Sequence, residues 1–114
     1  MALGVKTSLS PDTASIHSSP QVAVASAKSA LTALPKLPKQ DIIFMDPPYH
    51  KNLGVLGLEI VEKCAILKNS GLLILEHDWD EQIPDEVGKL ICCDSRKYGR
   101  CMLRFYRWKQ EEAE

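Results

Sequence analysis

The sequence predicts an α/β fold in which a mostly parallel sheet closes in an antiparallel hairpin. Three observations predict it. A short apolar run, Ile42-Ile43-Phe44-Met45, is bounded by turn formers, as a buried parallel strand is. Helix formers follow, and then a second apolar run at Leu72–Glu76, the strand–helix–strand order of a parallel crossover. Near the end, two strand-like runs flank Tyr98-Gly99, the pattern of a hairpin.

Each element has its own local reason. Residues 1–20 read as an irregular segment, because Ser8, Ser10, Pro11, Asp12, Ser15, Ser18, Ser19 and Pro20 favour turns and break helices. Residues 21–114 then form a single partial α/β domain. Gln21–Ala25 suits a short strand, and Ala25–Leu34 a helix with apolar positions at Ala27, Ala30, Leu31 and Leu34. Pro35 and Pro38 end that helix. Asp41–Met45 is the central strand. Leu53–Leu67 reads as a helix with Leu56, Ile60, Cys64 and Leu67 on its apolar face. Glu59, Glu62 and Lys63 face solvent, and Gly71 closes it as a left-handed cap. Leu72–Glu76 is the next strand. His77–Gly88 is polar and holds at most a short helix, while Lys89–Asp94 and Cys101–Trp108 are the last strands.

Composition excludes several classes. A chain of 114 residues makes one domain at most. Its net charge of −1 decides nothing about nucleic acid, for which the distribution of charge matters more. No apolar run approaches the ~20 residues that span a bilayer. Cys64, Cys92, Cys93 and Cys101 show neither metal-ligand spacing nor a secreted disulfide framework, so they read as reduced thiols in a cytoplasmic protein. The Ser- and Ala-rich start has one weak likeness to an organellar transit peptide, but no arginine precedes Arg96. A truncated or divergent domain start is the favoured reading.

The chemistry concentrates where the central strand ends, at Asp46-Pro47-Pro48-Tyr49. In open α/β sheets, sites form at the carboxyl ends of strands. An exocyclic amine on a nucleobase is a poor nucleophile, because its lone pair is delocalised into the ring. To attack a sulfonium methyl group it must pyramidalise and gain charge. Two acceptors aimed at its N–H bonds favour that geometry: the Asp46 carboxylate and the Pro47 carbonyl. Prolines stiffen the turn, and preorganised polar groups stabilise developing charge without moving. Tyr49 can stack on a base drawn from its helix, a contact worth ~1–3 kcal/mol. The competing reading is a rigid turn with no chemistry, since Pro-Pro and Asp-Pro pairs are common in loops.

From about Lys39 to Trp108 the chain resembles the RsmD-like family of ribosomal RNA guanine-N2 methyltransferases. Three blocks carry the resemblance in order: Asp41–Tyr49, Gly71–His77, and Arg96-Lys97-Tyr98-Gly99 with Leu103–Tyr106. The resemblance implies a partial Rossmann-like class I methyltransferase fold, S-adenosylmethionine as methyl donor, and a guanine of small-subunit ribosomal RNA as target. Asp46, Pro47, Pro48 and Tyr49 carry over as catalytic and base-binding residues, with Asp46 and Pro47 also touching the donor. His50, Glu76, His77, Arg96, Lys97 and Tyr98 are expected to bind substrate, and no metal is expected.

The chain departs from the family on the donor side. It has six glycines but no Gly-x-Gly, and Ala25-Ser26-Ala27-Lys28-Ser29 has no acid where the family places one near the adenine. Truncation of a longer enzyme is the favoured explanation. A non-catalytic RNA-binding module, or a half-domain that self-associates through an exposed sheet edge, is the alternative. An adenine N6 methyltransferase on DNA is a third reading, and the closing Tyr-Gly hairpin argues against it.

Two clusters outside the turn carry weaker signals. Arg96, Lys97, Arg100, Arg104, Arg107 and Lys109 interleave with aromatics, as RNA contacts do. A charged edge strand explains the same residues. Glu76, His77, Asp78, Asp80 and Glu81 fit no ordinary metal spacing.

Overall fold

The computed structural model describes residues 5–8 and 20–110. One seven-stranded sheet organises them. Its strands are β1 (Val5–Ser8), β2 (Val22–Ala25), β3 (Gln40–Met45), β4 (Leu67–Asp78), β5 (Glu86–Val87), β6 (Leu90–Tyr98) and β7 (Cys101–Trp108). Helix α1 (Lys28–Ala33), with a 3-10 turn at Leu34–Lys36, joins β2 to β3, and helix α2 (Leu53–Cys64) joins β3 to β4. The strands lie in the order β1-β2-β3-β4-β7-β6-β5. β2, β3 and β4 are parallel, and the others pair antiparallel. The architecture is a partial Rossmann-like sheet ending in the expected hairpin, with Gly99 left-handed at its tip. No helix among the described residues is long and apolar enough to cross a membrane.

Alternation along the strands sorts residues onto two faces. Ala23, Ala25, Ile43, Met45, Leu73 and Leu75 are fully buried. Both helices pack on that side. A Cβ at Gly57 of α2 would lie 2.6 Å from the Met45 sulfur, and one at Gly54 would lie 3.2 Å from Leu75. These glycines let the helix backbone settle directly onto the sheet. At the far end of the core, fully buried Tyr106 donates its hydroxyl to the Pro84 carbonyl at 2.7 Å. The alternate residues, among them Val24, Ile42, Phe44 and Ile74, are half-buried and lie outside the core cluster.

Several expectations need correction. Helix α2 stops at Cys64, with Ala65 in the left-handed conformation, and its buried face is Leu53, Gly54, Gly57, Leu58 and Val61. Leu56 and Ile60 pack at its margin, and Cys64 is exposed. Gly71 caps no helix; it lies inside β4, where a Cβ would meet Leu67 side-chain atoms at 2.6–2.8 Å. The polar run Asn69-Ser70, which has the look of a helix stop, is a bulge between the pairs Gln40↔Leu67 and Ile42↔Leu72. Of residues 1–20, expected to be irregular, Val5–Ser8 form a strand paired with β2; residues 1–4 and 9–19 lie outside the described residues. β7 is no edge strand, because it runs between β4 and β6. His77–Gly88 contributes β5 rather than a helix.

Candidate active site

The Asp46–Tyr49 turn leaves the carboxyl end of β3 in the middle of the sheet. The Asp46 backbone N–H continues the ladder by donating to the Ala25 carbonyl at 2.9 Å. Pro47 is buried, Pro48 is exposed, and Asp46 and Tyr49 are half-buried. Strand alternation puts Asp46 and Glu76 on the face opposite the helices. Burial raises the Asp46 carboxyl above its usual range, and the Glu76 carboxylate adds to the rise. The turn therefore holds an acceptor that is partly desolvated and carries no matching cation among the described residues.

Tyr49 is fixed at its far end. Its hydroxyl donates to Glu76 Oε2 at 3.1 Å and lies 3.3 Å from Cys101 Sγ. The contact with Cys101, burial, and the Glu76 hydrogen bond and charge all push this phenol upward, so it stays neutral and keeps its proton. Glu76 was expected at the site, and the structure brings it there. Cys101 was not expected; it begins β7, and only the β4–β7 pairing Asp78↔Cys101 puts it beside Glu76.

His50 and Asn52 both have left-handed backbones, with φ of 60° and 57°. Glu81 clamps this segment, accepting from the His50 N–H at 2.9 Å and the Asp78 N–H at 2.8 Å. The His50 ring meets Asp78 at 2.8 Å and Asp80 at 3.3 Å. The Asp78 hydrogen bond raises the imidazole pKa, and the same bond lowers Asp78. These three donor atoms lie within 4.8 Å of one another, and the ion pairing accounts for their convergence. A 280 Å3 cleft beside them is lined by His50, Asn52, Val55, Asp80, Glu81, Gln82 and Ile83. Its lining does not include Asp46 or Tyr49.

The remaining expected residues divide. His77 is buried on the helix-covered face, its Nδ1 bonded to the Asp78 carbonyl at 2.7 Å, and burial lowers its pKa. Alternation turns it away from Glu76, so the two residues do not share a pocket. Arg96 pairs with Leu103, on the same face as Glu76. Its guanidinium sits 5.8 Å from the Phe105 ring and 3.3 Å from Asp94. Lys97 falls on the other face, 5.1 Å from the Trp79 ring. Tyr98 is exposed near the hairpin tip.

The methyl donor fits poorly. Beside Asp46 stands the end of β2, where the Ala25 carbonyl is already taken by the Asp46 N–H. Ala25 is fully buried, and Ser26 and Ala27 bring no carboxylate for a ribose or adenine. No glycine loop opens there.

Comparison with known proteins finds related sequences and folds. A family model described as conserved hypothetical protein 95 matches residues 5–107. The Bacillus subtilis protein named "Putative rRNA methyltransferase YlbH" is 29% identical over 65 residues, covering 57% of this chain and 35% of that one. A conserved hypothetical protein of Streptococcus pyogenes superposes with a TM-score of 0.63 at 26% identity, over 71% of this chain and 51% of its own. A Haemophilus influenzae protein described as a "putative methylase" shares the fold, with a TM-score of 0.60 at 21% identity over 70% and 52% of the two chains. The chain thus spans about a third to a half of the length of these relatives. With the match running through the Asp46–Tyr49 turn, the Glu76 strand and the closing hairpin, the chain belongs to the conserved hypothetical protein 95 family, the RsmD-like family of its sequence motifs.

Proposed function

We propose that residues 21–114 form the base-side half of a methyltransferase that acts on the exocyclic N2 amine of a guanine in small-subunit ribosomal RNA. One observation carries the reading: a half-buried carboxylate, Asp46, stands at a central strand end beside the Pro47 carbonyl and a tyrosine fixed by Glu76. Asp46 and the Pro47 carbonyl accept the two amine N–H bonds. That pairing favours a pyramidal nitrogen with its lone pair free. Tyr49 offers a ring face to the base, and its bond to Glu76 fixes the ring before the base arrives. Most of the acceleration comes from this orientation. Arg96, on the same face and held by Asp94, would offer its guanidinium to a phosphate.

The family implies S-adenosylmethionine as the methyl source, but the groups at the end of β2 do not fit it, so donor binding falls to residues outside those described. The misfit favours a second reading: a non-catalytic RNA-binding module.

A chimera that joins residues 39–108 to the rest of YlbH tests the proposal. It should methylate small-subunit ribosomal RNA, and Asp46→Ala should lower the rate by at least ~100-fold, as loss of one preorganised charge-stabilising group does. A chimera that methylates equally well after Asp46→Ala removes the assignment. RNA binding without any transfer supports the module instead.

A further inference from the structure

The turn that follows β4 grips the chain leaving Asp46–Tyr49 twice, at a single residue. Asp78–Glu81 first closes on itself. The Glu81 N–H donates to the Asp78 carbonyl at 3.0 Å, and the Asp78 N–H donates back to Glu81 Oε1 at 2.8 Å. That reciprocal pair fixes the glutamate side chain, much as a capping box does. Its second oxygen, Oε2, accepts the backbone N–H of His50 at 2.9 Å. Asp78 takes the His50 ring, with Nε2 and Oδ2 at 2.8 Å. His50 directly follows Tyr49, so the main chain beyond the tyrosine is tied to the end of β4 by residues 31 and 28 positions away.

The gripping turn is seated at both ends. Asp78 pairs with Cys101, and the Trp79 N–H donates to the Arg100 carbonyl at 2.8 Å. Further on, Ile83 is buried in the core, beside Gly54 of α2. The gripped segment has less of its own to hold it. His50 and Asn52 are left-handed, a backbone that residues other than glycine keep only where the surroundings impose it. Asn52 precedes α2 without a side-chain capping bond, and no acid stands in the first turn of that helix. Tyr49 is thus held at two ends by two glutamates. Glu76 takes its hydroxyl at 3.1 Å, and Glu81 takes the next amide along the chain. A single bond at the hydroxyl fixes one point and leaves the ring plane free to swing; the second anchor, on the backbone, fixes the plane.

We propose that Glu81 is a positioning residue for methyl transfer: it holds the backbone at His50 and, through it, the ring of Tyr49. The proposal rests on the reading of Asp46–Tyr49 as the base-side site. Both Glu81 oxygens are engaged by backbone N–H groups, so the residue acts on the turn and not on the RNA. Its loss therefore lowers kcat and leaves the KM for RNA in place. Glutamine has the same length, but its amide nitrogen cannot accept, so Glu81→Gln leaves one of the two N–H groups without a partner.

The chimera of residues 39–108 with the rest of YlbH tests this. A misplacement of about 1 Å costs a reaction ~100-fold, and a partial loosening should cost less. Glu81→Gln should lower kcat about tenfold and Glu81→Ala further, with the KM for small-subunit ribosomal RNA unchanged within about twofold. An unchanged kcat overturns the proposal. A raised KM at constant kcat overturns it too, and makes Glu81 an RNA contact. So does a kcat that recovers on cooling well below each variant's melting temperature, because Glu81 then serves the fold alone. If the unsubstituted chimera transfers no methyl group, the functional reading fails by itself, and the grip is measured on the intact chain by amide hydrogen exchange. There, Glu81→Gln should speed exchange at His50 at least tenfold while Ile43, within β3, keeps its rate. An unchanged rate at His50 overturns the proposal.

Discussion

The two faces of the sheet are built from the same strands and nearly the same residue types, yet they meet different fates. Ile43, Met45, Leu73 and Leu75 are sealed beneath α1 and α2, while Ile42, Phe44, Leu72 and Ile74, one residue away in each case, remain half-exposed. Hydrophobicity does not distinguish them. What distinguishes them is which side the crossover helix took. The chemistry follows the open side: Asp46, Tyr49, Glu76 and Cys101 gather at its upper margin, and His77, buried on the covered side, is separated from them. A closed core fixes the strands that carry these four side chains.

The sharpest way to break this comparison is a pair of adjacent truncations. Leu75→Ala opens a cavity under α2 and should cost about 2–5 kcal/mol of unfolding free energy. Ile74→Ala, on the open face, should cost about 1 kcal/mol. Urea melts of both variants check this, and equal losses would mean that something covers the open face as well. A smaller effect concerns Asp46. Its carboxyl is raised by burial and by Glu76, so its ionised form opposes folding. A raised pKa contributes stability below the unfolded value and loses it as pH rises through the folded one. Asp46→Asn should therefore stabilise the fold at neutral pH, by under about 1 kcal/mol, and the gain should vanish in acid. Thermal melts at pH 3 and pH 7 would show it; a loss of stability at pH 7 would mean that Asp46 has a structural partner.

The smallest effect separates the two histidines. Asp78 raises His50, in the turn after β3, while burial lowers His77 on the covered face of the sheet. NMR titration should place their midpoints on opposite sides of the ordinary imidazole value of 6.5. The His50–Asp78 pair stabilises between the carboxylate and imidazole ranges. It weakens as pH falls through the lowered Asp78 pKa, and again as pH rises through the raised His50 pKa. His77 stabilises only while neutral, so its contribution is lost on acidification. Midpoints in the reverse order would contradict the His50–Asp78 pair and the burial of His77.

Much of this was legible along the chain, because the signals were local. The run before Asp46, the break at Pro47-Pro48 and the turn at Tyr98-Gly99 each follow from the residues that form them. Other features escaped for reasons of distance or of residue type. Gly54 and Gly57 carry no hydrophobic signal, so the apolar face of α2 reads one stripe away from the one that packs. Asn69-Ser70-Gly71 has the composition of a helix stop, yet the helix ends earlier, at a left-handed Ala65, and the polar run becomes a bulge. Cys101 and Glu81 hold the site together from strands and loops far from Asp46 in sequence. No spacing rule links Tyr49 to a residue 52 positions on.

By itself the sequence determined the strand–helix–strand order around β3 and β4, the closing hairpin, the rigid turn at Asp46–Tyr49, and the lack of a Gly-x-Gly run in these residues. These depend on short-range chemistry: turn residues, alternation and the bonding capacity of a few side chains. Only the tertiary structure decided which of two equally apolar faces is sealed, and which side chains join Tyr49 there. That choice is made by strand register and by the side on which the helices cross, and both are set by contacts between residues far apart in the chain.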